Sequence, residues 1–291
     1  MGADSNEDQL DHLTGARCLA SFWIVCGHFA PRLEESVFTP VRHRGNAAVN
    51  FFIILSGFIT HWVYAKRLLS PKPGQVARFY VRRIGRVVLT TWFAMVLGLV
   101  VVVVQLRGRF PEFGHLLRCF LFLETWRDPI DWCPNGQTWT VAALLPSWLL
   151  YPLTCRLVFA TAEHGGLLLL SVLAVMLWST ALAPMIWCFV RQGYWLSNVQ
   201  GIWSYIWPPS QIGDFALGAV AAETARRFVA SGSSVLGRFS RPAADVALLL
   251  VLLICFMVPS GGARQASTFS FFSIFSGANA ETGQNRLLLC E

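Results

Sequence analysis

Residues 87–106, VVLTTWFAMVLGLVVVVVQL, form a run of 20 without a single charge. A bilayer's hydrocarbon core, about 30 Å thick, is crossed by a helix rising about 1.5 Å per residue, so this run is long enough to span a membrane. Similar runs occupy 166–190 and 243–259, and apolar content predicts further spans at 13–30, 47–65 and 139–160. A seventh, 212–225, is short and carries Asp214 near its start. The expected fold is therefore all-α: a polytopic transmembrane helical bundle of about seven spans. Composition agrees, because 55% of the chain is hydrophobic and only 13% charged, whereas a soluble domain carries about 25% charged residues. The 12 tryptophans sit mostly near span ends, as Trp62, Trp126, Trp139, Trp195 and Trp207 do, which fits an interfacial aromatic belt.

The net charge of +7 does not point to nucleic acid. It concentrates in residues 65–86, AKRLLSPKPGQVARFYVRRIGR, with seven Lys or Arg and no acid. A short loop this basic is retained in the cytoplasm by the positive-inside rule. That places the N-terminus in the cytoplasm and 107–138 on the far side, and it returns the basic stretch 225–242 to the cytoplasm after three more spans. The segment 31–45, expected on the far side, carries Arg32, Arg42 and Arg44 against Glu34 and Glu35. The acidic start MGADSNEDQLD lacks the basic region of a signal peptide, so the first span is expected to serve as the membrane signal.

One integral-membrane domain accounts for 1–291, with an acidic cytoplasmic tail at 1–12 and a divergent or truncated C-terminal segment at 260–291. Between the third and fourth spans, HLLRCFLFL reads as a short re-entrant or interfacial helix. The eight cysteines form no CxxC pair or Cys/His cluster, so no metal site is expected. Most read as small hydrophobes. Cys119 and Cys133 share the far-side segment and could pair in an oxidising compartment.

The first span, RCLASFWIVCGHF (17–29), holds the first chemical signal. Arg17 and His28 are eleven residues apart, which brings them to one helix face about 16 Å apart along the axis. Arg17 alone reads as a snorkelling side chain, and His28 alone as a neutral imidazole bonded to a neighbouring helix. Together, ionisable groups inside a span mark a functional site by default, and histidine can take and return a proton near neutral pH. In the second span, NFFIILSGF (50–58), Gly57 permits close helix approach and Ser56 supplies a hydroxyl. FYVRRIGRV (79–87) opens the third span. Arg82 and Arg86 there share a face at i and i+4 with Arg83 adjacent, a set that suits anionic lipid or a phosphate clamp.

These three stretches, in this order and at about this spacing, resemble the acyltransferase 3 family of integral-membrane O-acyltransferases. GQTWTVAALLPSWLLYPL (136–153) is similar to the family's segment rich in Trp, Ser and Leu that ends in Leu-Tyr-Pro. QIGDFALGAVAAE (211–223) is similar to its Glu-Phe-Leu-Leu-Gly-Met stretch. The resemblance covers residues 10–225. It implies that acyl-CoA is the donor, that no cofactor is permanently bound, and that the acceptor is a hydroxyl of a carbohydrate, lipid or small molecule. His28 would be the base, Arg17 would support the donor, and Arg82, Arg83 and Arg86 would hold coenzyme A phosphates. Ser56, Gly57, Trp139 and Thr140 would support the site. The chain departs from the family twice. Leu144 and Leu145 stand where glutamates usually follow the Trp-Ser pair, and about seven spans replace about ten. Two other readings remain open at this level: a transporter or channel with Arg17 and His28 in its path, and an inactive relative of the family.

Overall fold

The computed structural model describes residues 8–29, 45–70, 72, 74–105, 111–126, 133–180 and 205–230. Among these residues every regular element is helical, and none is a strand. The helices are α1 (Asp8–Phe29), α2 (Gly45–Leu68), α3 (Gln75–Gln105), α4 (Phe113–Phe120), α5 (Trp139–Thr180) and α6 (Pro208–Ala230). The described residues divide into two compact units. One contains α1, α2 as far as Phe52 and the end of α6 from Phe228, and the other runs from Ile53 to Arg227.

Among the described residues, three helices are long and apolar enough to cross a membrane: Ala47–Leu68, Gln75–Gln105 and Gly136–Leu177. They coincide with the spans expected at 47–65, 87–106 and 139–160, and the last also takes in the start of 166–190. The first expected span falls in α1, whose shorter apolar stretch is Thr14–Cys26. The short run 212–225 lies inside α6, while 243–259 and the loop 31–44 lie outside the described residues.

Two of the long helices, α3 and α5, are irregular. α3 begins after Gly74, whose φ of 79° is the left-handed conformation glycine adopts at least cost. Its turn Val81–Gly85 is π-helical, an irregularity that recurs at functional sites. α5 is two legs joined at Gly166, where φ 56° and ψ −146° interrupt the helix. Both legs pack on α6: Val158 and Ala162 from the first and Leu170 from the second share one buried cluster with Ala219 and Val220.

Many of the outward side chains of α3 and α5 are apolar. Leu89, Phe93, Val100 and Val104 on α3, and Leu153, Leu168 and Val175 on α5, are all exposed. An apolar surface this continuous is unlike that of a soluble monomer and suits contact with lipid tails. α6 is the opposite case, with Phe215, Ala216, Ala219, Val220 and Ala222 all buried. It faces protein on nearly every side, so it needs small residues more than hydrophobicity. A Cβ on Gly57 of α2 would overlap the Phe215 carbonyl, and one on Gly218 of α6 would overlap the Ile54 carbonyl. The two helices therefore touch backbone to backbone through glycines.

The segment between α3 and α5 folds back alongside α3. α4 ends in a Schellman turn, with Leu123 N–H bonded to Arg118 O at 2.9 Å and Phe122 N–H to Cys119 O at 3.1 Å. Phe122 takes the left-handed position, φ 58°, that glycine usually fills. In return its ring is buried with Met95, Cys119, Cys133 and Ala142. Cys119 and Cys133 are disulfide-bonded, and Trp92 donates its indole N–H to Phe120 O at 2.9 Å. α4 is thus anchored beside the middle of α3's apolar stretch.

Candidate active site

Within the unit from Ile53 to Arg227, three separate stretches of sequence meet at one hydroxyl. Ser56 Oγ on α2 accepts a hydrogen bond from Arg83 Nη2 on α3 at 2.9 Å and another from Trp148 Nε1 on α5 at 3.2 Å. The Arg83 guanidinium also lies over the Trp148 ring, 5.6 Å from its centroid, a cation–π arrangement. The guanidinium is therefore held by a hydroxyl on one side and an aromatic face on the other, which fixes a long, otherwise mobile side chain. Arg82 and Arg86 are exposed, so Arg83 is the member of the trio that enters the bundle.

Gly57, next to Ser56, makes the close approach to Phe215. This brings the QIGDFALGAVAAE stretch to the same level of α2. One helical turn along, Ser56 O accepts from Thr60 Oγ1 at 2.5 Å. Beyond it lies a second polar group, buried at Tyr151, His61 and Glu223 and open to solvent at Glu163. Tyr151 Oη is 3.3 Å from His61 Nδ1, and His61 Nε2 is 3.3 Å from Glu223 Oε2. Arg227 donates from Nε to Glu223 Oε1 at 3.1 Å and from Nη2 to Glu163 Oε1 at 3.0 Å. Arg226 donates to the carbonyls of His61 and Trp62 and lies 5.6 Å from the centroid of the Trp62 ring.

Trp139 and Thr140, two other expected site residues, sit apart from this cluster. Trp139 is buried against Tyr205, ring centroids 5.3 Å apart. Thr140 donates to Gln137 O at 3.1 Å. Both open α5, about 13 Å along the axis before Trp148 at 1.5 Å per residue. Leu144 and Leu145 are half-buried, and Leu145 packs on the cluster around Met95. Arg17 is half-buried on α1, in the other compact unit. His28 belongs to the last turn of α1, and its side chain lies outside the described residues.

An acid also sits near the start of α5. Glu124, in a 3₁₀ turn after α4, is buried and accepts a hydrogen bond from Thr138 Oγ1 at 3.4 Å. Its second oxygen and the Thr125 hydroxyl have no hydrogen-bond partner. Burial, outweighing the bonds from its own backbone and Thr138, pushes the Glu124 carboxyl up to about 7.

Sequence reasoning did not pick out Trp148, Tyr151, Glu223 or Glu124. The first two lie inside the SWLLYPL stretch, and Glu223 is the last residue of QIGDFALGAVAAE. The signal was position within those stretches; the partners, up to 162 residues away, are set by packing. Glu124 had no signal beyond its place in a loop.

No curated protein and no solved structure matches the chain. The family described as "Acyltransferase domain" of acyltransferase 3 matches residues 10–284, extending past residue 225, where the motif resemblance stops. With helices suited to a membrane and a match over nearly its whole length, the chain belongs to the acyltransferase 3 family.

Proposed function

We propose that this protein is a multi-pass membrane O-acyltransferase with its N-terminus in the cytoplasm, moving an acyl group from acyl-CoA to a hydroxyl of a carbohydrate, lipid or small-molecule acceptor. His28 takes the proton of the acceptor hydroxyl as that oxygen attacks the thioester carbonyl. The carbon–sulfur bond then breaks, and the proton passes to the departing thiolate. Arg17 supports the donor from the same helix face, and Arg83 and Arg86 at the start of α3 contact its phosphates.

The observation that carries this reading is the meeting of Ser56, Arg83 and Trp148. They come from three of the stretches that resemble the family. A guanidinium locked in place has already given up its rotamer freedom, so it can bind an anionic donor at a smaller entropic cost.

The test is release of free coenzyme A by purified protein in lipid nanodiscs, with and without candidate hydroxyl acceptors. The wild type should release thiol only with an acceptor, and His28→Ala should lower turnover by roughly 10²-fold or more. Full turnover in that variant would remove the mechanism. Arg83→Ala should raise the donor KM roughly tenfold with a smaller change in kcat, the pattern expected when a binding contact is lost.

A further inference from the structure

The turn between α2 and α3 encloses a groove of about 150 Å³. Tyr64, Leu68 and Phe79 line its apolar side, and Arg67, Arg78 and Arg82 its polar side. The three arginines are exposed, and none forms an ion pair or hydrogen bond with another described side chain. No acid occurs anywhere from 65 to 86. Three like charges carried around one small volume repel one another, and an anion entering between them relieves the repulsion.

Three observations narrow the anion. α2 and α3 are both long enough to span a membrane, and only residues 69–74 connect them, so the groove lies at the membrane surface. Its volume, about 150 Å³, is small. That suits a phosphate group and falls short of the roughly 300–1,000 Å³ that encloses a whole small molecule. Val81, beside Arg82, is 72% exposed, and Leu89 two turns on is 66% exposed, so the outward face of α3 continues from the groove as an apolar surface. Neither Ser56, Arg83 nor Trp148 lines the groove.

We infer that Arg67, Arg78 and Arg82 form a site for a phosphate monoester, and that the ligand carrying it is an anionic membrane lipid whose acyl chains follow the apolar face of α3. Tyr64 and Phe79 close the groove beneath the headgroup, and the guanidinium forks take the phosphate oxygens. The site stands independently of acyl transfer and takes Arg82 out of the donor's contacts.

Native mass spectrometry of the full chain, released from micelles of neutral detergent, tests this with phosphatidate as the phosphate monoester lipid and phosphatidylcholine as the neutral one. Wild type should retain phosphatidate in preference to phosphatidylcholine, and Arg67→Gln/Arg78→Gln should lose that preference by roughly tenfold or more. Arg156→Gln, which changes an exposed arginine on α5, should keep it. Adenosine 3′,5′-bisphosphate, a soluble phosphate monoester, should fail to displace the lipid. Displacement by it would overturn the lipid assignment and return the groove to the donor. Equal retention of phosphatidate by the double variant would overturn the site itself.

Discussion

Around Glu223 every charge has a partner. Its two oxygens take His61 and Arg227, Arg227 also takes Glu163, and Arg226 covers Trp62 while bonding helix carbonyls. Around the α2–α3 turn the reverse holds, since Arg67, Arg78 and Arg82 share a groove without a counter-charge among the described residues. The difference follows from solvation. A charge removed from water costs several kcal/mol unless its partners replace the lost hydration, so the buried set had to be completed within the chain. The groove arginines stay wet and cost little unpaired, which leaves them available to a ligand. The first arrangement fixes helices relative to one another; the second recognises something outside the chain.

The comparison breaks most sharply at Glu223. Glu223→Ala would leave Arg227 with one acid and strip His61 of its carboxylate inside the bundle. Removing one partner of a buried ionic set typically costs about 3–5 kcal/mol. Thermal unfolding in nanodiscs should show that loss, whereas a loss below about 1 kcal/mol would mean the network is not what holds α2 to α6.

Glu124 lies between the two cases, being buried like Glu223 but bonded only by its own backbone and, at 3.4 Å, by the Thr138 hydroxyl among the described residues. Its folded carboxyl titrates near 7, against 4.5 for its ordinary value. Between those two pH values the unfolded chain has released its proton and the folded chain still holds it. Stability therefore falls as pH rises from 4.5 towards 7 and is level on either side of that window. At about 1.4 kcal/mol for each pH unit the window spans, the penalty at pH 8 is on the order of 3 kcal/mol. Unfolding of wild type at pH 5 and pH 8 should differ by an amount that Glu124→Gln removes, and a pH profile unchanged in that variant would mean another group titrates there.

How far these features could be read from the sequence depends on the range of the interaction behind each one. The spans in α2, α3 and α5 are local: runs near 20 residues long declare themselves, whatever they pack against. Arg83 and Ser56 were legible because each sits in a short stretch with a recognisable pattern. α6 was read as a short span because its small residues lower its hydropathy, and the cause, close contact through Gly57 and Gly218, spans more than 150 residues. The Tyr151–His61–Glu223 chain has the same origin. The disulfide was legible only as a pairing open to Cys119 and Cys133, since a Cα–Cα distance of 5.7 Å is a property of the folded loop. Nothing in FYVRRIGRV announces the π turn, which contains no proline.

The smallest expected effect sharpens the comparison most. Arg67 and Arg78 are exposed and unpaired, so replacing either with Gln removes no intramolecular bond and should alter stability by less than about 0.5 kcal/mol in neutral lipid. The sign carries information. Three like charges around one groove repel each other, so at low salt Arg67→Gln should be slightly more stable than wild type. The gain should fade as ionic strength rises and the screening length falls to about 8 Å near 0.15 M. Added phosphatidate should reverse the order, because bound anion stabilises wild type in proportion to its affinity while the variant gains less. A variant that loses more than about 1 kcal/mol in neutral lipid, with no response to salt, would place Arg67 in the structural network with Glu223, and the division between paired and unpaired charge would no longer separate holding from binding.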